Sequence, residues 1–191
     1  MFSGLVLITP PVAEPISLAE AKAHLRVDII DDDNLITALI TAAREYCEGF
    51  QNRAYITQTW QLWLDAWPED SEIRIPRPPL QAVNSIKYYS ADNAEYVLPP
   101  SDYIVDKVGE PGRIVLAYGK SWPSITLRPA NAVCVEFKAG YGDDAGKVPQ
   151  KVKDAMIIHI KLHYDDYRPE ERQKMEEARD RLLWQDRVVP V

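Results

Sequence analysis

The sequence predicts an α+β protein: a helical core drawn from both ends of the chain, with an antiparallel β module inserted between them. Three observations point there. Apolar residues recur at steps of three and four between positions 18 and 50, and again between 148 and 182. Between those stretches the period falls to two, and Pro, Gly, Asn and Asp interrupt it roughly every ten residues. The terminal helical segments each present an apolar face with no local cover, and the simplest closure packs them on one another. The expected division is 1–55 plus 147–191 as the helical core, with an extended N-terminal arm and a C-terminal tail, and 56–146 as the β module.

The strongest element spans 31–50. Leu35, Leu39, Ala42, Ala43, Tyr46 and Phe50 form a stripe, flanked by Ile36, Ile40 and Cys47. Asp31, Asp32 and Asp33 stand where carboxylates accept from unpaired N–H groups and favour the positive end of the helix dipole. Gly49 and Asn52 mark the stop. Before it, Ser17-Leu18-Ala19-Glu20 reads as a capping box opening a helix with Leu18, Ala21 and Leu25 on one face. The acidic link 28–33 makes the two an αα-hairpin. Residues 1–15 are extended, since Pro10, Pro11 and Pro15 prevent a helix. They fit either a terminal strand packed on its own domain or an arm reaching a neighbour.

Seven strands are expected next, at 56–64, 72–75, 83–89, 96–98, 103–106, 113–117 and 132–137, in an antiparallel sheet or small barrel. Turns fall at 66–70, 91–93, 99–102 and 109–112. The helical period returns after Lys147. Val152, Ala155, Met156, Ile160 and His163 form one stripe, widened by Ile157, Ile158 and Leu162, so this helix should be buried on more than one side. Pro169 is expected to end it. Residues 170–185 are highly charged. Met175, Ala178 and Leu182 offer a narrow seam, and Glu170–Lys174 and Glu177–Arg181 are favourable i,i+4 pairs. That segment fits a helix or a flexible linker. The tail 187–191 is apolar and cannot be helical at its end.

Composition limits function. The 191 residues are 46% hydrophobic and 27% charged, with a formal net charge of −7. An acidic balance disfavours gripping nucleic-acid phosphates or docking on an anionic membrane. Cys47 and Cys134 lack metal or disulfide spacing and read as reduced packing residues. The N-terminal stretch lacks a basic region and a cleavage site, so no signal peptide is read there, and no run is long enough to span a bilayer. Synthesis in a cytoplasm is the expectation.

Chemistry-bearing motifs are sparse. His159 and His163 stand one helical turn apart and could share a metal, but a useful site needs a third ligand, and the glutamate of the HExxH type is missing. Asp31–Asp33 reads as a cap rather than a cation site. Gly140-Tyr141-Gly142 lacks a phosphate-loop fingerprint. No nucleophile elbow and no Cys–His pairing occur. The expectation is no catalytic set, no cofactor and no metal. Aromatic residues are more telling: Trp60, Trp63, Trp67, Tyr88, Tyr89, Tyr96, Tyr103, Tyr118 and Trp122 crowd the β module. They either fill its core or present a protein-contact surface.

The runs ISLAEAKAHLRVD (16–28) and DDDNLITALITAAREYCEGFQNRAYITQTWQL (31–62) resemble the head–tail connector, or head-completion adaptor, family of long-tailed bacteriophages and their prophages. IRIPRPPLQAVNSIKYY (73–89), PPSDYIVD (99–106), GEPGRI (109–114) and FKAGYGD (137–143) are similar to its longer branch with a β insertion. The helix from Val148 and the closing LLWQDRVV (182–189) fit the C-terminal pattern. The likeness extends to adaptors of gene transfer agents. It implies a structural, non-enzymatic virion protein at the head–tail junction, forming a ring, commonly of twelve copies in this family, beneath the portal protein. The ring would extend the DNA channel and join the portal to a stopper or tail-completion protein. DNA would pass without specific binding, and carboxylates would line the channel. The resemblance makes Leu182, Leu183, Trp184, Arg187, Val188 and Val189 the portal-contact candidates, testable by truncation after Asp180. The alternatives are another morphogenesis factor, such as a stopper or tail-completion protein, or a metal-dependent enzyme centred on His159 and His163.

Overall fold

The computed structural model describes residues 3–189 of the chain, which form two compact units. One holds Thr57–Gly140 and the strand before Pro10. The other holds Pro11–Ile56 and the residues from Tyr141 onward.

The β unit contains β1 (Ser3–Thr9), β2 (Gln58–Leu64), β3 (Glu72–Arg74), β4 (Leu80–Tyr89), β5 (Glu95–Val97), β6 (Tyr103–Asp106), β7 (Arg113–Leu116) and β8 (Val133–Ala139). They form a five-stranded sheet in the order β1-β2-β8-β4-β5 and a three-stranded sheet in the order β3-β7-β6. Named pairings within both sheets are antiparallel. All seven strands expected from the alternation are present, with ends shifted by a few residues. Central β8 alternates strongly apolar residues and has both neighbours in register, Leu62 and Ile86 opposite Val135. The core is aliphatic apart from Phe137: Leu62, Leu64, Ile73, Leu80, Ile86, Ile114, Val133 and Val135 are buried with it. Gly112 lies against Leu80, where an added Cβ would meet the Leu80 side chain at 2.7 Å.

The first strand changes the expected division. Assigning 1–55 wholly to the helical core does not describe residues 3–10, which belong to the β unit. Leu5 pairs with Leu62 and Leu7 with Trp60, so the arm completes the edge of β2 before Pro10 and Pro11 stop it. Of the alternatives for this arm, the strand on its own unit is present. Its first two residues lie outside the described range.

The helical unit contains α1 (Leu18–Leu25), α2 (Asp33–Gln51), α3 (Gln150–Tyr164) and α4 (Pro169–Trp184). The charged segment open between helix and linker is therefore a helix. Pro169 does not end α3, which stops at Tyr164; it occupies the first turn of α4, where its missing N–H costs nothing. Helices from the two ends of the chain share one core of Ile16, Ala21, Ile36, Ile40, Ala43, Cys47, Val152, Met156, Ile160 and Leu183, among others. No described helix is long and apolar enough to cross a membrane.

Two helices sit about one residue's rotation from their expected face. In α2 the flanking residues Ile36, Ile40 and Cys47 are buried together with Ala43 of the expected stripe, whereas Leu39, Tyr46 and Phe50 are half-buried, Leu35 is 51% exposed and Ala42 is exposed. In α4 Arg179 and Leu183 are buried and Ala178 is exposed. The i,i+4 ion pair that forms there is Arg172–Glu176 at 3.1 Å. α3 meets expectation more closely: Val152, Ala155, Met156, Ile157, His159, Ile160 and Leu162 are all buried.

Candidate functional site: the C-terminal segment of the helical unit

The end of α2 organises the tail. Asn52 takes the left-handed conformation at the helix C-cap, with its N–H turned back to the Glu48 and Gly49 carbonyls. Three successive side chains then reach the C-terminal segment. Gln51 Nε2 donates to the Leu183 carbonyl at 2.6 Å, Asn52 Nδ2 to the Val188 carbonyl at 2.8 Å, and Arg53 Nε to the Asp186 carbonyl at 2.6 Å. The Val188 N–H donates to the Gln51 carbonyl at 2.9 Å, and Lys151 pairs with Asp186. Gln51 is itself fixed, since its Oε1 accepts from the buried Tyr55 hydroxyl at 2.7 Å.

These bonds sort the six portal-contact candidates. Leu183 is fully buried and part of the subunit's own core. Leu182 is half-buried against that core, and Val188 is half-buried with its backbone held by Gln51 and Asn52. Trp184 is 63% exposed and Val189 71% exposed, and Arg187 is exposed as well. The Arg187 guanidinium lies 5.3 Å from the Phe50 ring centroid and 5.2 Å from that of Trp184, and the two rings meet edge-on at 6.4 Å. A shallow groove bordered by Glu177, Asp180, Arg181, Trp184 and Gln185 runs beside them. The surface thus offers one large ring, one stacked cation and a mixed-charge rim, a composition suited to protein contact. The last residues of the tail, Pro190 and Val191, lie outside the described range.

Truncation after Asp180 removes more than a contact surface. It deletes Leu183 from the core and strips Gln51, Asn52 and Arg53 of their carbonyl partners. Point substitutions at exposed positions separate docking from folding; the truncation does not.

Beneath this surface lies a polar cluster that the periodicity did not reveal. Arg179, 6% exposed, donates from Nη2 to the Tyr46 hydroxyl at 2.6 Å, from Nε to Asp180 at 2.8 Å and from Nη1 to His159 Nδ1 at 3.2 Å. Its guanidinium also lies 4.1 Å from the Tyr46 ring centroid. Accepting at Nδ1 makes His159 the neutral tautomer protonated at Nε2. Burial first, and then His163 and Arg179, push the His159 pKa down to about 4. The His159 and His163 rings stack at 4.3 Å, and His163 Nδ1 bonds the His159 carbonyl at 2.8 Å. Both histidines are therefore occupied with packing and hydrogen bonding. Among the described residues no three His, Cys, Asp or Glu side chains are placed to hold a metal. Cys47 is buried, and burial pushes its thiol up to about 12, the wrong direction for a nucleophile. The only sequence sign of the cluster is Arg179 one step off an otherwise apolar seam.

The nine tryptophan and tyrosine residues singled out in the β unit do not fill its core, since none of them is buried; the buried ring there is Phe137. Trp67 stacks on Trp122 at 4.8 Å and contacts Tyr88 at 5.5 Å, and Tyr88 stacks on Tyr96 at 5.3 Å. Arg128 lies 4.0 Å from the Tyr89 centroid beside Trp63. Six of the nine thus pack ring on ring in two groups at the surface of the unit, and Tyr118 stands fully exposed.

With this geometry in hand, comparisons with known proteins converge. Residues 15–96 match the family described as phage gp6-like head-tail connector protein. No curated protein sequence matches. Across its full length the chain resembles a chain in the neck of an empty GTA particle computed with C6 symmetry, at 22% identity and a TM-score of 0.78, covering 97% of that chain. It also resembles a chain in the virion of a native gene transfer agent (GTA) particle, at 21% identity and a TM-score of 0.76, over 98% of this chain and 96% of that one. A third likeness, to a chain in the neck of a native GTA particle computed with C12 symmetry, has 22% identity and a TM-score of 0.74 over 100% and 97% of the two chains. Over residues 15–96, then, this chain matches the phage gp6-like head–tail connector family, and over its whole length it has the fold of a chain found in gene transfer agent necks.

Proposed function

We propose that this chain is a structural head–tail connector of a tailed phage, prophage or gene transfer agent. It sits at the head–tail junction of the virion, after synthesis in the bacterial host cytoplasm. Copies form a ring under the portal protein that extends the DNA channel and presents a surface to a stopper or tail-completion protein. The observation that carries this reading is the connector-family match over 15–96 together with a full-length neck fold. The chain's work on this reading is packing and contact. The buried, neutral His159 and the unreactive Cys47 fit a scaffold. A net charge of −7, repeated in every copy of a ring, disfavours phosphate binding, so carboxylates line the channel and DNA slides past them.

The portal contact is assigned to Trp184, Arg187 and Val189, the exposed members of the C-terminal candidates. Leu182, Leu183 and Val188 hold that surface in place. The test is a Trp184→Ala/Arg187→Glu variant of the full chain, assayed for thermal unfolding and for joining to portal-containing heads by native mass spectrometry and particle cryo-microscopy. The expected result is a nearly unchanged melting curve and a loss of portal affinity of about tenfold or more. Unaltered head joining would remove these residues from the contact. A reconstruction with a lysine- and arginine-lined bore would remove the channel assignment.

A further inference from the structure

Strand β1 differs from the other end of its sheet. Val6, Leu7 and Ile8 are 47%, 41% and 46% exposed, although successive side chains in a strand point to opposite faces. Both faces of β1 are therefore open. Among the described residues its outer edge has no partner strand. Such an edge presents a row of backbone N–H and C=O groups able to pair with another chain, and natural proteins blunt it with charge, proline or brevity. β5, at the opposite edge, is protected by brevity and charge: it is three residues long, Glu95 pairs with Lys87 at 2.9 Å and accepts from the Tyr89 hydroxyl at 2.9 Å, and Tyr96 stacks on Tyr88. Prolines follow both strands, but β1 is seven residues long and contains no charged residue.

Charge points to the occupant. Copies of a chain carrying −7 repel wherever their acidic surfaces approach. The first Asp, Glu, Lys or Arg side chain in the sequence is Glu14, so β1 lies in a stretch where two copies can meet without opposing like charges. A cyclic ring also requires each copy to touch its neighbour through two different patches, which an open edge on one copy and an extended segment on the next satisfy. We propose that the free edge of β1 receives an extended segment of a second copy of this chain, by strand addition that also covers Val6, Leu7 and Ile8. This inference rests on the ring reading above.

The test uses the full chain and its Val6→Lys/Ile8→Lys variant. Hydrogen exchange is followed in the dilute chain, in the concentrated chain and in assembled necks, with circular dichroism and melting as controls for folding. The backbone amides of β1 should gain protection of roughly tenfold or more when copies associate. The variant should melt like the parent yet fail to form rings. Three results overturn the proposal: β1 exchange indifferent to copy number, rings of the variant as abundant as those of the parent, or protection of β1 only by a different protein. A chain that enters necks with β1 unprotected keeps the connector reading and loses this one. A chain that never enters necks loses both. Should the variant fail to fold, the exchange comparison on the parent chain decides alone.

Discussion

The two units stabilise themselves with different chemistry. The β unit buries aliphatic side chains, Phe137 and a single polar residue, Gln58, among the described residues, and leaves its tryptophans and most of its tyrosines half-exposed. The helical unit buries an apolar core too, but adds Arg44, Glu48, Gln51, Arg53, His159 and Arg179. An aliphatic sheet core is satisfied by volume and alternation, and related side chains can replace one another. Buried polar groups are satisfied only by particular partners. In the helical unit some of those partners are local, as Arg44 with Glu48, but others lie far apart in sequence: Gln51 with Leu183, and Arg179 with Tyr46 and His159. The polar contacts thus fix how the two ends of the chain fit, and with them the tail that displays Trp184 and Arg187.

The contrast breaks most visibly in the β unit. Phe137 is fully buried on the central strand β8, and Phe137→Ala should cost about 3–5 kcal/mol, combining lost burial with a residual cavity. Chemical denaturation with a fluorescence readout measures it. Phe137→Leu should recover most of that loss, as expected for a core that responds to volume. Equal losses in the two variants would mean the position is specified by shape, and the contrast with the helical unit would fail.

In the helical unit Gln51→Ala should cost about 2–4 kcal/mol, because it leaves both the Tyr55 hydroxyl and the Leu183 carbonyl without their buried partner. Gln51→Leu is close in size and more apolar, yet it should not rescue. That is the opposite of the expectation at Phe137. Proteolysis should find the chain after Leu183 more accessible in both variants. Rescue by leucine would show that the site, like the sheet, needs only volume.

What was legible in the sequence follows the same division. All seven strands between 56 and 139 could be read, because β-branched and aromatic alternation bounded by prolines is a local signal. β1 was ambiguous because an apolar run between prolines says nothing about which edge it will join. The helices were legible as elements, but their buried faces were read one residue off in α2 and α4. Leu35 and Ala178 are apolar by type and exposed in fact, while Arg44 and Arg179 are charged by type and buried in fact. Periodicity assigns a face by counting apolar residues, and it misassigns wherever a paired arginine occupies the inner position. For the C-terminal candidates the sequence names residues but not their exposure: Leu183 and Trp184 are neighbours of similar hydrophobicity, and only the tertiary structure buries the first and exposes the second.

The His159 cluster sharpens the comparison through pH. Its pKa is lowered to about 4 from 6.5, so between those values the unfolded chain binds a proton that the folded chain refuses. Stability from this group is complete above about pH 6.5 and is lost as pH falls through about 4. The loss should be about 1–3 kcal/mol, with Arg179, His163, Tyr46 and Asp180 all close enough to affect it. Carboxylates titrate in the same window, so the measurement is a difference. Unfolding free energies of the parent and of His159→Gln, taken from pH 7 to 4, should converge on acidification. Parallel curves would show that the histidine is not the titrating group. The β unit has no histidine and should contribute nothing to this difference.

The smallest effect concerns how the helices begin. Ser17 caps α1 with both halves of the box: its Oγ accepts from the Glu20 N–H at 3.2 Å, and the Glu20 carboxylate accepts from the Ser17 N–H at 2.8 Å and from its hydroxyl at 2.7 Å. Asp32 occupies the same position on α2, where the sequence suggested a carboxylate cap, but its side chain makes no capping bond. It accepts from the Tyr164 hydroxyl at 2.6 Å, while Asp33 pairs with Lys22 at 2.5 Å. Carboxylates at a helix start can serve tertiary contacts because α2 is long and held by its own core; α1 has eight residues and one buried side chain, Ala21, so its local cap matters more. Ser17→Ala should therefore cost about 1 kcal/mol and speed amide exchange in α1 first. Asp32→Ala should leave exchange at the start of α2 almost unchanged and show its effect at the C-terminal turn of α3, around Tyr164. The reverse pattern would mean that Asp32 caps after all, and that in this unit chain-end contacts yield to local ones.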